Sequence, residues 1–351
     1  MVLIIKRLCA FLVAFAIMLV NAMPAFADNE LEISAEKAIL IHEDGEVLYA
    51  KKADKRALIA STTKIMTAII ALENCDISEV VDIREEYCGL EGSSMYLKAG
   101  EKYTVEELLK GLLLVSGNDA AMALACHTAK TEDEFVKLMN EKASKLEMND
   151  THFENPHGLD GKRHYSCPAD LAKLMAYCMK NESFASLTGL RSTQVGEQTL
   201  INHNKLLKLC KGCIGGKTGF TEAAGRCLVS CCERNGTRLI CVTLNAPDDW
   251  NDHIKLYNWA FDRYSKRNIS ENISFIVPII SGDAENAIIL AEKCMAFLPL
   301  NGKISYKAEL PHFVFAPIQA GDRAGKLKLY CDDRLIGETE LFYRDSVLPA
   351  L

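Results

Sequence analysis

The sequence predicts an α/β fold, an antiparallel sheet flanked by helices with a helical insertion, followed by a small all-β domain. Three observations predict it. Short apolar runs joined by turn residues open the chain and return after residue 225, residues at helical spacing fill the segment between, and only short β-rich runs follow a polar stretch at 266–272. The chain has 351 residues and 49% hydrophobic content, enough for a large core and long for one ordinary domain. Its 25% charged residues and ample aliphatic content exclude a largely disordered chain. It shows no fixed-length repeat, heptad array or Gly-X-Y period.

Taken in order, residues 1–27 read as an export signal. Lys6 and Arg7 precede the 13-residue apolar run Leu8–Val20, and Ala25-Phe26-Ala27 supplies small residues for cleavage. An uncleaved anchor is the alternative. Ala38–Ile41 and Val47–Tyr49 flank Glu43-Asp44-Gly45-Glu46, a β-hairpin. Ile65, Met66, Ile69, Ile70 and Leu72 mark a buried helix over Ser61–Glu73. Val105–Val115 and Ala120–Thr128 read as helices broken at Ser116-Gly117-Asn118, and Asp133–Leu146 as another. Asn155-Pro156-His157-Gly158 is a turn, and His157 reads as structural within it. Pro168–Met179 is a helix with Ser166 as its expected cap. Cys227–Cys232 and Leu239–Leu244 flank Asn235-Gly236, a strong hairpin signal, and Asp252–Ser265 is the closing helix. The polar run Lys266–Asn272 places a boundary between a domain at 28–268 and a β-rich domain at 269–351. No basic amphipathic helix that would lie on a membrane is read at the C-terminal end.

The net charge is −7, and −9 without Lys6 and Arg7, which argues against nucleic acid as the main partner. The 14 cysteines fall at irregular spacings, and 13 follow the leader. We read most as small buried hydrophobes. Cys210-Lys211-Gly212-Cys213 is the one C-x-x-C, either a redox pair or half a zinc site with His203, though no second C-x-x-C completes the set.

Three short motifs carry the chemistry: Ser61-Thr62-Thr63-Lys64, Ser116-Gly117-Asn118 and Lys217-Thr218-Gly219. S-x-x-K recurs at Ser34–Lys37 and S-x-N at Ser270–Asn272, so order and setting discriminate, not the strings. The first motif opens a helix, the second breaks one, and the third enters a strand. On a helix, Ser61 and Lys64 share a face. A serine hydroxyl needs a base, and a lysine serves only when neutral, which burial and the charge of Lys217 both favour. The Ser61 N–H at the helix start and the main-chain N–H of Phe220 are the expected oxyanion donors. Ser116 can relay a proton between a lysine and a leaving amine, and Asn118 can hold a lysine and a substrate amide. Lys217 and Thr218 suit a carboxylate, and Gly219 leaves room for a substrate backbone. Together they describe acyl transfer on a peptide ending in a free carboxylate.

These motifs, with Gly92-Ser93-Ser94-Met95, Asn155-Pro156-His157-Gly158-Leu159 and Ala224-Gly225, resemble those of low-molecular-mass penicillin-binding proteins, the serine-type D-alanyl-D-alanine carboxypeptidases. The resemblance spans roughly Ala35 to Leu351. It implies a β-lactamase/transpeptidase-like domain with a C-terminal β domain. It implies Ser61 as the acylated nucleophile, Lys64 as its base, Ser116 and Asn118 in the proton network, and Lys217 on the terminal carboxylate. The implied reaction removes the last D-alanine from peptidoglycan stem peptides, outside the cytoplasm, with no metal or organic cofactor. β-Lactams would acylate the same serine. No E-x-x-L-N segment of the class A β-lactamases is found, so slow β-lactam turnover is expected. Ile59 stands where relatives often have Pro. His203 stands where many have Arg, leaving His203 or His253 as the second carboxylate contact. A non-catalytic wall adaptor and a β-lactamase are the rival functions.

Overall fold

A computed structural model describes residues 31–350. The expected leader, 1–27, lies outside the described residues. A five-stranded antiparallel sheet forms the frame, built from β1 (Lys37–His42), β2 (Val47–Lys51), β7 (Cys213–Thr221), β8 (Gly225–Arg234) and β9 (Thr237–Leu244), in the order β2-β1-β9-β8-β7. β1 pairs with β9, so strands from both ends of the segment close one sheet around the helical insertion, as the element order predicts. Asn235 and Gly236 both have positive φ, 52° and 69°, the geometry an Asn-Gly hairpin turn requires.

Helices cover both faces of the sheet. Pro168–Cys178 packs against β1, β8 and β9 on one side, and Asp249–Arg263 against β8 and β9. Double coverage explains why Cys227–Cys232 is a continuous buried run rather than an alternating one. Eight of the 13 described cysteines are buried and none is disulfide-bonded, in line with their reading as small core residues. Ser166 does not cap the helix. Cys167 holds the cap position without a side-chain bond, and the Ser166 hydroxyl meets Thr151 Oγ1 at 2.7 Å.

The insertion contains α1 (Lys64–Asn74), α2 (Val105–Leu114), α3 (Asn118–Ala129) and α4 (Glu132–Lys145). Thr104 and Glu107 form a capping box that starts α2. Leu108, Leu109, Leu112, Ile65, Ile69 and Leu124 fill the shared core. Two short ribbons escape the sequence pattern: β3 with β4 (Val80–Asp82, Lys102–Thr104) and β5 with β6 (Ser192–Val195, Gln198–Ile201).

The polar stretch read as a domain boundary is partly a strand. β10 (Tyr264–Asn268) pairs with β13 (Met295–Pro299), which the sequence reading also missed. Beyond it a six-stranded sheet, which includes β11 (Ser274–Ile280) and β12 (Asn286–Ala291), encloses a second core of Val277, Ile289, Leu327, Leu329 and Leu341. The expected β-rich tail is present.

Candidate active site

The segment that carries Ser61 is a 3-10 turn, Ala60–Thr63, that runs into α1. Its two threonines satisfy the turn's own carbonyls. Thr62 Oγ1 donates to Ile59 O at 2.6 Å and Thr63 Oγ1 to Ala60 O at 2.8 Å. The Thr63 hydroxyl also meets His164 Nε2 at 2.8 Å, and His164 Nδ1 accepts from Glu154 N. That network requires a neutral imidazole, and burial holds its pKa down at about 4. Ala60 has φ +46°, a left-handed backbone at a non-glycine residue just before Ser61.

Lys64 is wholly buried beneath the serine. Its Nζ lies 2.9 Å from Ser61 Oγ and donates to Asn118 Oδ1 at 2.7 Å and His157 O at 2.5 Å. Burial, then the nearby Lys217 charge, holds its pKa well below the ordinary lysine range. Asn118 is fixed from behind. Its Nδ2 donates to Glu91 O, and its backbone N–H to Ser93 O at 2.8 Å. Asp119 pins the adjoining loop by accepting from Ser94 Oγ, Met95 N and Leu97 N.

Ser116 sits at φ +64° in the break between α2 and α3. Its hydroxyl accepts from Lys217 Nζ at 3.0 Å, which ties the second motif to the third. Lys217 Nζ also donates to Thr218 O at 2.8 Å, and burial lowers its pKa to about 7. Lys217 reaches this place from β7, the edge strand, whose outer backbone groups are free of sheet pairing. Gly219 lets β7 lie close to the Ser61 turn: a Cβ there would meet Ser61 N at 3.0 Å and Ile59 O at 3.1 Å. The Phe220 ring is 65% exposed at the rim.

Ser61, Ser93, Ser116, Thr218, Gly219 and Phe220 line a cleft of about 590 Å³. Arg191, His203, Lys205 and Lys208 form its wall, and the first and last two carry no ion pair among the described residues. Arg191 was not singled out in the sequence because it stands outside the motifs. It reaches the cleft because the β5–β6 hairpin brings Arg191 O to Asn202 N. His253 is excluded as a carboxylate contact. It is fully buried on the helix Asp249–Arg263, bonded to Ser230 Oγ at 2.7 Å and Thr243 Oγ1 at 3.0 Å. The His157 carbonyl accepts from Lys64 Nζ, a main-chain contact that no side-chain pattern could reveal.

The C-x-x-C pair is not a metal site. The ligand atoms of Cys210, Cys213 and His203 do not converge. The Cys213 thiol turns to Gly215 O, while a hydrogen bond with Cys232 and the Arg234 charge lower Cys210 to about 7.

Similarity to known proteins converges on one group. The sequence profile described as D-alanyl-D-alanine carboxypeptidase matches residues 24–248, and that of the penicillin-binding protein 5 C-terminal domain matches 285–348. The D-alanyl-D-alanine carboxypeptidase DacF of Bacillus subtilis (strain 168) is 32% identical, across 98% of this chain and 95% of its own. The D-alanyl-D-alanine carboxypeptidase DacD of Escherichia coli (strain K12) is 31% identical, across 92% and 89%. Among solved structures, penicillin binding protein 6B from Escherichia coli superposes with a TM-score of 0.73 at 26% identity, across 90% of this chain and 97% of that one.

Proposed function

The chain belongs to the D-alanyl-D-alanine carboxypeptidase family, and from that premise we propose that Ser61 is the nucleophile of a serine carboxypeptidase acting on peptidoglycan stem peptides ending in D-Ala-D-Ala. One observation carries the assignment: a buried lysine with a depressed pKa lies 2.9 Å from Ser61 Oγ and 2.7 Å from Asn118 Oδ1 at the floor of a cleft with a cationic wall. In this reading neutral Lys64 takes the Ser61 proton as Oγ attacks the carbonyl of the penultimate D-alanine. The Ser61 and Phe220 N–H groups receive the oxyanion. Ser116, held by Lys217, passes the proton from Lys64 to the leaving nitrogen, and free D-alanine departs. Water then attacks the ester, gives a proton to Lys64, and Ser61 regains its own. Lys217 and Thr218 hold the terminal carboxylate, with Arg191 or His203 as the second contact. An Arg191→Ala variant with unchanged KM would leave that role to His203.

β-Lactams acylate Ser61 in the same reading. The expected result is an intact-mass adduct after penicillin that persists for many minutes and is absent in Ser61→Ala, together with release of D-alanine from a D-Ala-D-Ala peptide. Rapid loss of the adduct would mean a β-lactamase, and neither adduct nor D-alanine an adaptor. We further propose export by residues 1–27, a catalytic domain at 28–268 and a β-rich domain at 269–351, placing the enzyme outside the cytoplasm where its substrate lies. No helix among the described residues is long and apolar enough to cross a membrane.

A further inference from the structure

We propose that Cys75, Glu79 and His127 form a binding site for a divalent metal of the zinc class, away from the catalytic cleft. Cys75 follows the last residue of α1, Glu79 lies in the turn before β3, and His127 is in the last turn of α3. One ligand atom from each lies within 4.8 Å of the other two. The donors are already oriented. Glu79 Oε2 meets His127 Nε2 at 2.9 Å, while Glu79 Oε1 accepts from Asp76 N at 2.7 Å. The Cys75 thiol lies 3.3 Å from Thr128 Oγ1, whose own proton is given to Leu124 O. The backbone N–H of Cys75 still closes the helix on Ala71 O, so the thiol is held at a fixed helix end.

The donor set selects the ion. A thiolate, an imidazole and a carboxylate together suit a borderline-soft ion without geometric preference, which is zinc, whereas magnesium and calcium take oxygen shells. The setting adds to this. α1 and α3 both end at the cluster, and helix C-termini carry partial negative charge that favours a cation. The side chains of His127 and Glu79 are 23% and 46% exposed, which gives an ion a path in and leaves the fourth position to water. Binding requires Cys75 to lose its thiol proton to solvent, so affinity rises with pH. The opposite ends of the same two helices carry Lys64 and Asn118, themselves bonded at 2.7 Å. A bound ion therefore ties together the far ends of the two helices that frame the nucleophile's base.

The test uses the full chain, reduced and stripped with a chelator, and Co²⁺ alone as the probe. One equivalent is expected to give a near-ultraviolet thiolate-to-cobalt band that Zn²⁺ abolishes. The band should vanish in Cys75→Ser, weaken at least tenfold in affinity in His127→Ala, and survive in the double change Cys210→Ser with Cys213→Ser. Fluorescent-penicillin labelling within twofold of the parent checks that each variant folds. A second measurement needs no variant: Zn²⁺ should protect Cys75 from iodoacetamide, read by peptide mass spectrometry. A band that persists in Cys75→Ser, or Cys75 alkylated equally fast with and without Zn²⁺, overturns the site whatever the fate of the carboxypeptidase assignment.

Discussion

Lys64 and Lys217 are both wholly buried amines, and the proposed mechanism asks opposite charge states of them. Lys64 works as a base only when neutral, and that fraction grows as pH rises. Lys217 holds a carboxylate only while charged, and burial brings its loss of charge down to about 7. D-alanine release should therefore show a bell-shaped kcat/KM, with the falling limb set near that value in the free enzyme. A plateau extending to pH 9 would remove Lys217 from carboxylate binding. The same burial has a cost in stability. Lys217 titrates at about 7 when folded and 10.5 when exposed, so between those values the unfolded chain binds more protons and stability rises with pH. Replacing the amine with an apolar side chain of similar length removes that penalty. Lys217→Met should raise Tm by a few degrees at pH 7, lose the advantage near pH 10, and cut kcat/KM about a hundredfold. Equal Tm differences at the two pH values would contradict the buried-charge account.

Among the loops, the turn at 155–158 shows how closely one segment is fitted to another. Asn155 Oδ1 accepts from Gly158 N at 2.6 Å, which folds the turn, and the His157 carbonyl then points at Lys64. Gly158 has φ +92°, and a Cβ there would sit 2.1 Å from Ala60 O, on the backbone of the nucleophile turn. Gly158→Ala must push these two segments apart. It should slow penicillin acylation more than tenfold and destabilise the fold by about 2–4 kcal/mol. Labelling and Tm both within error of the parent would show that the turn adjusts freely. At this scale the sequence was readable wherever a local rule had one structural answer. Asn235-Gly236 specified its hairpin and the Ile65–Leu72 stripe its helix. β3 to β6 were not readable, because three- and four-residue strands are too short to display alternation and take their pairing from distant partners.

Across the whole molecule, the strand–helix–strand order was enough to anticipate a sheet closed from both ends, because apolar segments at both ends had to share one core. The three motifs converge as that closure requires, with Ser61, Lys64 and Asn118 on one side and Ser116 with Lys217 on the other. What stayed hidden depends on three-dimensional proximity alone: Arg191 at the cleft, the His157 carbonyl, and β10, whose polar letters conceal a strand. β10 also begins the attachment of the tail. Phe297 on β13 is buried, stacked on the His42 ring of β1 at 4.8 Å and on Tyr264 of β10 at 5.5 Å. Leu300 N bonds to Arg263 O at the end of the preceding helix. One aromatic ring thus packs the β10–β13 ribbon against β1, and none of its ring partners lines the Ser61 cleft. Phe297→Ala should cost roughly 3–5 kcal/mol, felt at this junction and not at the nucleophile. Limited proteolysis should then cut near 264–300 much faster and release a fragment that still carries penicillin on Ser61, with the acylation rate within twofold of the parent. Unchanged cleavage would mean that the backbone pairing of β10 with β13 holds the tail without the ring, and a fall in acylation would mean that the tail reaches the catalytic centre through the sheet.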